Sequence, residues 1–159
     1  MLKKGMKMIL ACILGCSVLT ACSENEEKLP IVSVGQIVEH TSLNTIRSSF
    51  LEEMEALGYK DGENITIDYK NAGGSQSTLN SIMTTFAGNK SDVIVAIATP
   101  TAMAAAKYSN EIPIIFSAVS DPIEAGLMDD LTKPNHNITG TSDEIQVDQV
   151  LELALTLDP

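Results

Sequence analysis

Val93–Ala106, "VIVAIATPTAMAAA", runs for fourteen residues without a charge and carries a Pro between two Thr. Fourteen residues are too few to cross a bilayer as a helix, so the run belongs in a protein interior. Its two halves differ. Asp92–Ala98 is apolar at every position after the Asp and rich in β-branched side chains, the pattern of a strand covered on both faces, as in parallel sheets. Pro100 follows at or near the first helical position, where a missing N–H is tolerated. "PTAMAAAKYS" then reads as a closely packed, Ala-rich helix.

The same alternation extends in both directions. "IVSVGQIV" (Ile31–Val38) is a β-branched run and reads as a buried strand. In the segment after it, Leu43, Ile46, Phe50, Met54 and Leu57 line one stripe of a helix. Ser42 is its expected N-cap and Gly58 its stop. Asn64–Asn71 gives a second strand. Leu79, Ile82, Met83 and Phe86 recur at helical spacing in a second amphipathic helix that Gly88 ends. Ile112–Val119 gives a fourth strand, Asn137–Thr141 a short fifth, and Gln146–Leu157 a closing helix. Strand and helix alternating at this spacing predict an α/β fold: an open, mostly parallel sheet with helices on both faces, Rossmann-like in layout.

The first 22 residues are set apart from this pattern. Lys3, Lys4 and Lys7 precede a short apolar run that ends at "LTAC", Leu19–Cys22, the charge and apolar order of a secretory signal. The small residues before Cys22 resemble the lipobox of bacterial lipoproteins. That resemblance implies cleavage before Cys22, lipid such as palmitate on its thiol, and anchoring to the membrane through lipid only. Residues 23–30 read as a polar tether. All three Cys lie at or before the implied cut, so no Cys nucleophile, Cys metal site or disulfide is expected in the body. Removing three Lys and no acid leaves seven basic residues against twenty-one acidic ones, a formal net charge of −14. A body so acidic, with Arg47 as its single Arg, is a poor partner for nucleic acid.

Ligands of open α/β sheets bind outside the carboxyl ends of the strands. The segments expected there are Gln36–His40, Asn71–Thr78, Ala98–Thr101, Ser117–Pro122 and Gly140–Asp143, all rich in hydroxyls, amides or carboxylates. Candidate ligand-binding residues are therefore Gln36, Glu39, His40, Gln76, Ser77, Thr78, Thr99, Thr101, Ser117, Asp121, Thr141 and Asp143. Thr99 and Thr101 open a helix, where free N–H groups suit an anion, although a Thr in that place commonly serves only as the cap. Neither G-x-G-x-x-G nor a Walker A motif occurs, so a dinucleotide or nucleotide cofactor lacks its fingerprint. Ser117 or Ser120 beside Asp121 lacks the G-x-S-x-G elbow of a hydrolase. His136 stands alone between Asn residues in a loop. No cofactor, no metal and no catalytic residue is assigned.

These segments in combination, from "VGQIVEHTSLNTIRSSFLEEMEALG" through "ATPTAMAAA" to "IPIIFSAVSDPIEAGL" and "NITGTSDEI", resemble the substrate-binding lipoproteins of ABC importers of the tryptophan/tyrosine type. The resemblance implies a type I periplasmic-binding-protein fold of two lobes, with a small-molecule ligand, an amino acid of aromatic or similar kind, held in the cleft between them. It implies no catalysis, delivery to ABC permease subunits, and a bacterial, extracytoplasmic location. Such proteins are about twice this length, so residues 31–140 would form the first lobe, and residues 141–159 the hinge crossing and the start of a second. Thr99, Thr101, Ser77 and Thr78 would then hold a ligand carboxylate, and Glu39, Asp121 or Asp143 its ammonium. The contrasting expectation is a lipid-anchored, flavodoxin-like domain or enzyme, which would need a catalytic constellation or phosphate loop.

Overall fold

The computed structural model describes residues 28–134, 137–144 and 146–157. In chain order the elements are β1 (Ile31–Gln36), α1 (Thr41–Ala56), β2 (Thr66–Asn71), α2 (Gln76–Gly88), β3 (Val93–Ile97), α3 (Thr99–Ala105), β4 (Ile114–Val119), β5 (Ile138–Ser142) and α4 (Val147–Leu157). A single 3₁₀ turn, Ala106–Tyr108, extends α3. The five strands form one sheet in the order β2-β1-β3-β4-β5, and every pairing is parallel. From β1 the chain moves outward to β2, then crosses back to β3 on the other side. Right-handed crossovers therefore place α1 on one face and α2 and α3 on the other. The direction of winding reverses between β1 and β3, which fixes a switch point at their carboxyl ends.

Alternation along each strand sorts side chains onto the two faces. Ile94, Ala96, Ile114 and Phe116 point toward α2 and α3 and join Leu79, Ile82, Met83 and Phe86 in the larger core. The four α2 residues of that core are the predicted stripe. Each fully buried large side chain contributes about 1.5–3 kcal/mol of hydrophobic stabilisation. On the opposite face Val32, Val34, Val95 and Ile97 meet Leu43, Ile46, Phe50 and Met54 of α1. Space for α2 and α3 depends on Gly35 of β1, because a Cβ there would lie 2.6 Å from Met83 Cε and 3.2 Å from Thr101 Cγ2.

Element ends depart from the sequence reading where a side chain competes for the backbone. His40, not Ser42, caps α1: its Nδ1 accepts from the Ser42 N–H at 3.4 Å. Gly58 stops the helix as expected, at φ 91°. Leu57 has already left the apolar stripe and is 65% exposed. β2 starts at Thr66 rather than Asn64, since the Asn64 side chain is bound to the preceding turn. Its Oδ1 accepts from the Lys60 N–H at 2.7 Å and its Nδ2 donates to the Gly58 carbonyl at 2.8 Å. The leader, Cys22, most of the tether and His136 lie outside the described residues. Among the described residues, no helix is long and apolar enough to cross a membrane.

Candidate functional site

The carboxyl ends of β3 and β4 carry the most unusual backbone among the described residues. Ala98, one residue past β3, has φ 78° and ψ 153°. Ala118, in the neighbouring end of β4, has φ 55°. Residues with a Cβ enter such regions only where surrounding contacts hold them there, and they concentrate at functional sites. Between Phe116 and Val119 the pairing of β4 with β5 loses its regular register.

Beside these two residues a groove of about 290 Å³ is lined by Thr99, Met103, Ser120, Asp121, Glu124 and Ala125. Thr99 starts α3 and Asp121 follows β4, so the strand ends bring together two residues separated by 22 positions in sequence. The Asp121 Oδ1 accepts from the N–H groups of Ile123 and Glu124, both at 2.9 Å. This is the turn-opening role its Asp-Pro sequence suggests. The side chain is exposed, and the bond pattern fixes the carboxylate at the groove rim. A short distance along the sheet, Ser117 Oγ and Thr141 Oγ1 lie 3.3 Å apart on the α1 face. The edge segment is tied in by Ser142 Oγ, which donates to the Ser120 carbonyl at 3.0 Å, and by the Asp143 N–H, which donates to the Val119 carbonyl at 3.2 Å.

Other candidates occupy different surroundings. Thr101, two residues after Thr99, is fully buried, and its hydroxyl oxygen has no hydrogen-bond partner. Gln36 is also fully buried, and its amide nitrogen donates to the Val38 carbonyl and to Asn44 Oδ1, both at 2.7 Å. It thereby holds the β1–α1 loop. His40 is the α1 cap. Gln76, Ser77 and Thr78 form the exposed first turn of α2, where Ser75 Oγ accepts from the Thr78 N–H at 3.2 Å and contacts Ser77 Oγ at 3.0 Å.

Glu39 lies in a cluster that sequence reading did not assemble. Its Oε1 accepts from the Tyr69 hydroxyl at 2.7 Å and from Arg47 Nη1 at 3.4 Å. Arg47 stacks over the Tyr69 ring, 4.1 Å from its centroid, and Asn71 Nδ2 donates to the Tyr69 oxygen at 3.3 Å. The Tyr69 hydrogen bond, aided by Asn44 and Arg47, holds the Glu39 carboxyl below its ordinary range against a smaller desolvation effect. Burial, and then the bond to Glu39, pushes the Tyr69 hydroxyl upward. The charge of Glu39 is thus already partnered within the lobe. Among the described residues, no group of three His, Cys, Asp or Glu side chains could hold a metal ion.

A parallel sheet with a groove at the carboxyl ends of β3 and β4, one strand from the switch point, defines an open α/β lobe. Residues 31–159 match the family described as ABC transporter substrate binding protein, and the chain belongs to that family. It is 43% identical, over 99% of its own length and 49% of the relative's, to a tyrosine-binding protein of Clostridioides difficile strain R20291. Its fold matches the ligand-free, open structure of a substrate-binding protein with adhesive properties from Clostridium difficile, with a TM-score of 0.76 and 45% identity. That match covers 80% of this chain and 43% of the other. It is similar in the same way to the ABC domain in complex with L-Trp from Streptococcus pneumonia, at a TM-score of 0.74 and 37% identity, over 79% of this chain and 42% of that one. The chain therefore spans about half the length of the relatives it matches, and its fold is that of a periplasmic-binding-protein lobe.

Proposed function

We propose that this chain supplies the first lobe of a solute receptor for an ABC importer, binding an amino acid with an aromatic or similar side chain. The observation that carries this reading is the groove joining Thr99 and Asp121 at the carboxyl ends of β3 and β4, in a chain with 37–43% identity to proteins described with tyrosine or L-Trp. Thr99 offers its hydroxyl to the ligand carboxylate, with Ser77 and Thr78 at the start of α2 as further donors. Asp121 receives the ammonium, because it stands in the groove opposite Thr99, whereas Glu39 is engaged by Tyr69 and Arg47. Asp143 and the Ser117–Thr141 pair lie next to the edge strand and serve the crossing side of the cleft. Thr101 and Gln36 act from beneath, by packing and by fixing the β1–α1 loop.

Residues 31–140 are the lobe in this reading, and residues 141–159 begin the crossing to a second lobe. Closure of two lobes over the ligand removes water, and in that lower dielectric the contacts to carboxylate and ammonium strengthen. The receptor works outside the cytoplasm, attached by lipid on Cys22, and passes its ligand to permease subunits without chemical change. Calorimetry of the full-length, unlipidated protein against each of the twenty amino acids tests this. Heat of binding from tyrosine, tryptophan or a close relative supports it, and silence toward all twenty sinks it.

A further inference from the structure

Ala98 is over-determined by its neighbours. Its N–H donates to the Ser117 carbonyl at 2.8 Å, and its carbonyl accepts from the N–H groups of Thr101 and Ala102 at 3.0 and 3.1 Å. Both of those residues are fully buried, so a shift of the first turn of α3 that relaxed Ala98 would cost buried packing. The conformation at φ 78° and ψ 153° is one that glycine enters freely and other residues do not. Ala118, at φ 55°, lies in the left-handed helical region, which costs a residue with a Cβ less. Three non-glycine residues have positive φ among those described, and the third, Lys90, follows the end of α2, a common place for a left-handed residue. Ala98 and Ala118 end no helix. They stand at the ends of adjacent strands, Ala98 immediately before Thr99 and Ala118 three residues before Asp121.

We propose that Ala98 and Ala118 are positioning residues for the ligand. Their strained backbone fixes the separation and direction of Thr99 and Asp121 across the groove before any ligand arrives. This rests on the reading that Thr99 and Asp121 hold the amino acid. Strain lowers the stability of the empty lobe, but it leaves the strand ends one dominant arrangement, so little ordering remains to be done on binding. Glycine at either position would relax the backbone and let the strand ends sample other arrangements. Apparent affinity then falls in proportion to the fraction that remains competent.

The test compares the full-length protein with Ala98→Gly, Ala118→Gly and, as a control at the other end of the sheet, Lys90→Gly. Each is titrated with L-tyrosine and L-tryptophan, and each is melted without ligand. The expected result is that Ala98→Gly melts no lower than the parent when empty yet binds at least about fivefold more weakly, a loss of competent fraction. Ala118→Gly should show the same weakening to a smaller degree, and Lys90→Gly should bind as the parent does. Unchanged affinity in both alanine variants overturns the proposal, as does an equal loss in Lys90→Gly. A lower melting point for empty Ala98→Gly overturns the claim of strain. A parent that binds neither amino acid overturns the ligand reading itself, and this inference with it. That outcome differs from a parent that binds and variants that match it.

Discussion

On the α2–α3 face of the sheet, Leu79, Met83, Phe86, Ile94 and Ala96 are wholly shielded from solvent. On the α1 face no residue of α1 is fully buried, and Ile115 of β4 keeps 44% of its surface exposed. The cause is topological. Two helices and the Leu127–Met128 segment cover the middle strands on one face, whereas α1 packs against β1, β2 and β3 and leaves the β4–β5 strip of Ile115, Ser117, Thr139 and Thr141 open. Stability is therefore concentrated on the first face. The polar groups gather on the second face and at the strand ends, where backbone conformation rather than packing sets their geometry.

Truncating one aromatic on each face would probe this difference most strongly. Phe86→Ala should cost about 3–5 kcal/mol, the usual cost of emptying a closed core. Phe50→Ala, from the half-buried stripe of α1, should cost roughly half as much, since its site is already partly solvated. Denaturant midpoints would measure both, and equal losses would break the distinction between the faces. Next in size is Gly140→Ala, because a Cβ at Gly140 would run into the Phe116 carbonyl and ring. The expected loss is about 1–3 kcal/mol, the range for overpacking, and an unchanged melting curve would show that β5 yields freely. Ile115→Thr, on the open strip, should stay within about 0.5 kcal/mol of the parent.

The smallest effect is electrostatic. Glu39 titrates below its ordinary value in the folded protein because the Tyr69 hydroxyl donates to it. Its contribution to stability is thus complete above the unfolded value of about 4.3 and disappears as pH falls through the lower folded value. Glu39→Gln should flatten that part of the acid limb of a stability–pH curve and leave the neutral region nearly level. A parent curve already flat below pH ~4.3 would contradict the assigned shift.

Much of this arrangement could be read from the chain itself. The β3–α3 junction followed from an unbroken apolar run meeting Pro100, and all four buried α2 side chains followed from helical spacing. The alternation of elements also placed the polar segments at the carboxyl ends of the strands. Three features carried no local mark. Alanine at positive φ looks like any other alanine, so the strain at Ala98 and Ala118 appears only with the backbone traced. The Glu39–Arg47–Tyr69 cluster draws on a loop, a helix and a strand, and Tyr69 is 30 residues from Glu39. Thr99 and Thr101 look alike in sequence, but in the first turn of α3 a two-residue step turns Thr101 away from the groove and against Gly35.

Asp121, which lines the groove, is the proposed ammonium partner. Asp121→Asn retains an oxygen to accept from Ile123 and Glu124 while removing the charge, so the turn should survive. Titration of the full-length Asp121→Asn protein with L-tyrosine and L-tryptophan, beside the parent, is the direct measurement. The predicted result is an intact fold whose affinity is lower by about 1.5–3 kcal/mol, the range for a hydrogen bond to a charged group. Parent and variant binding equally well would contradict it.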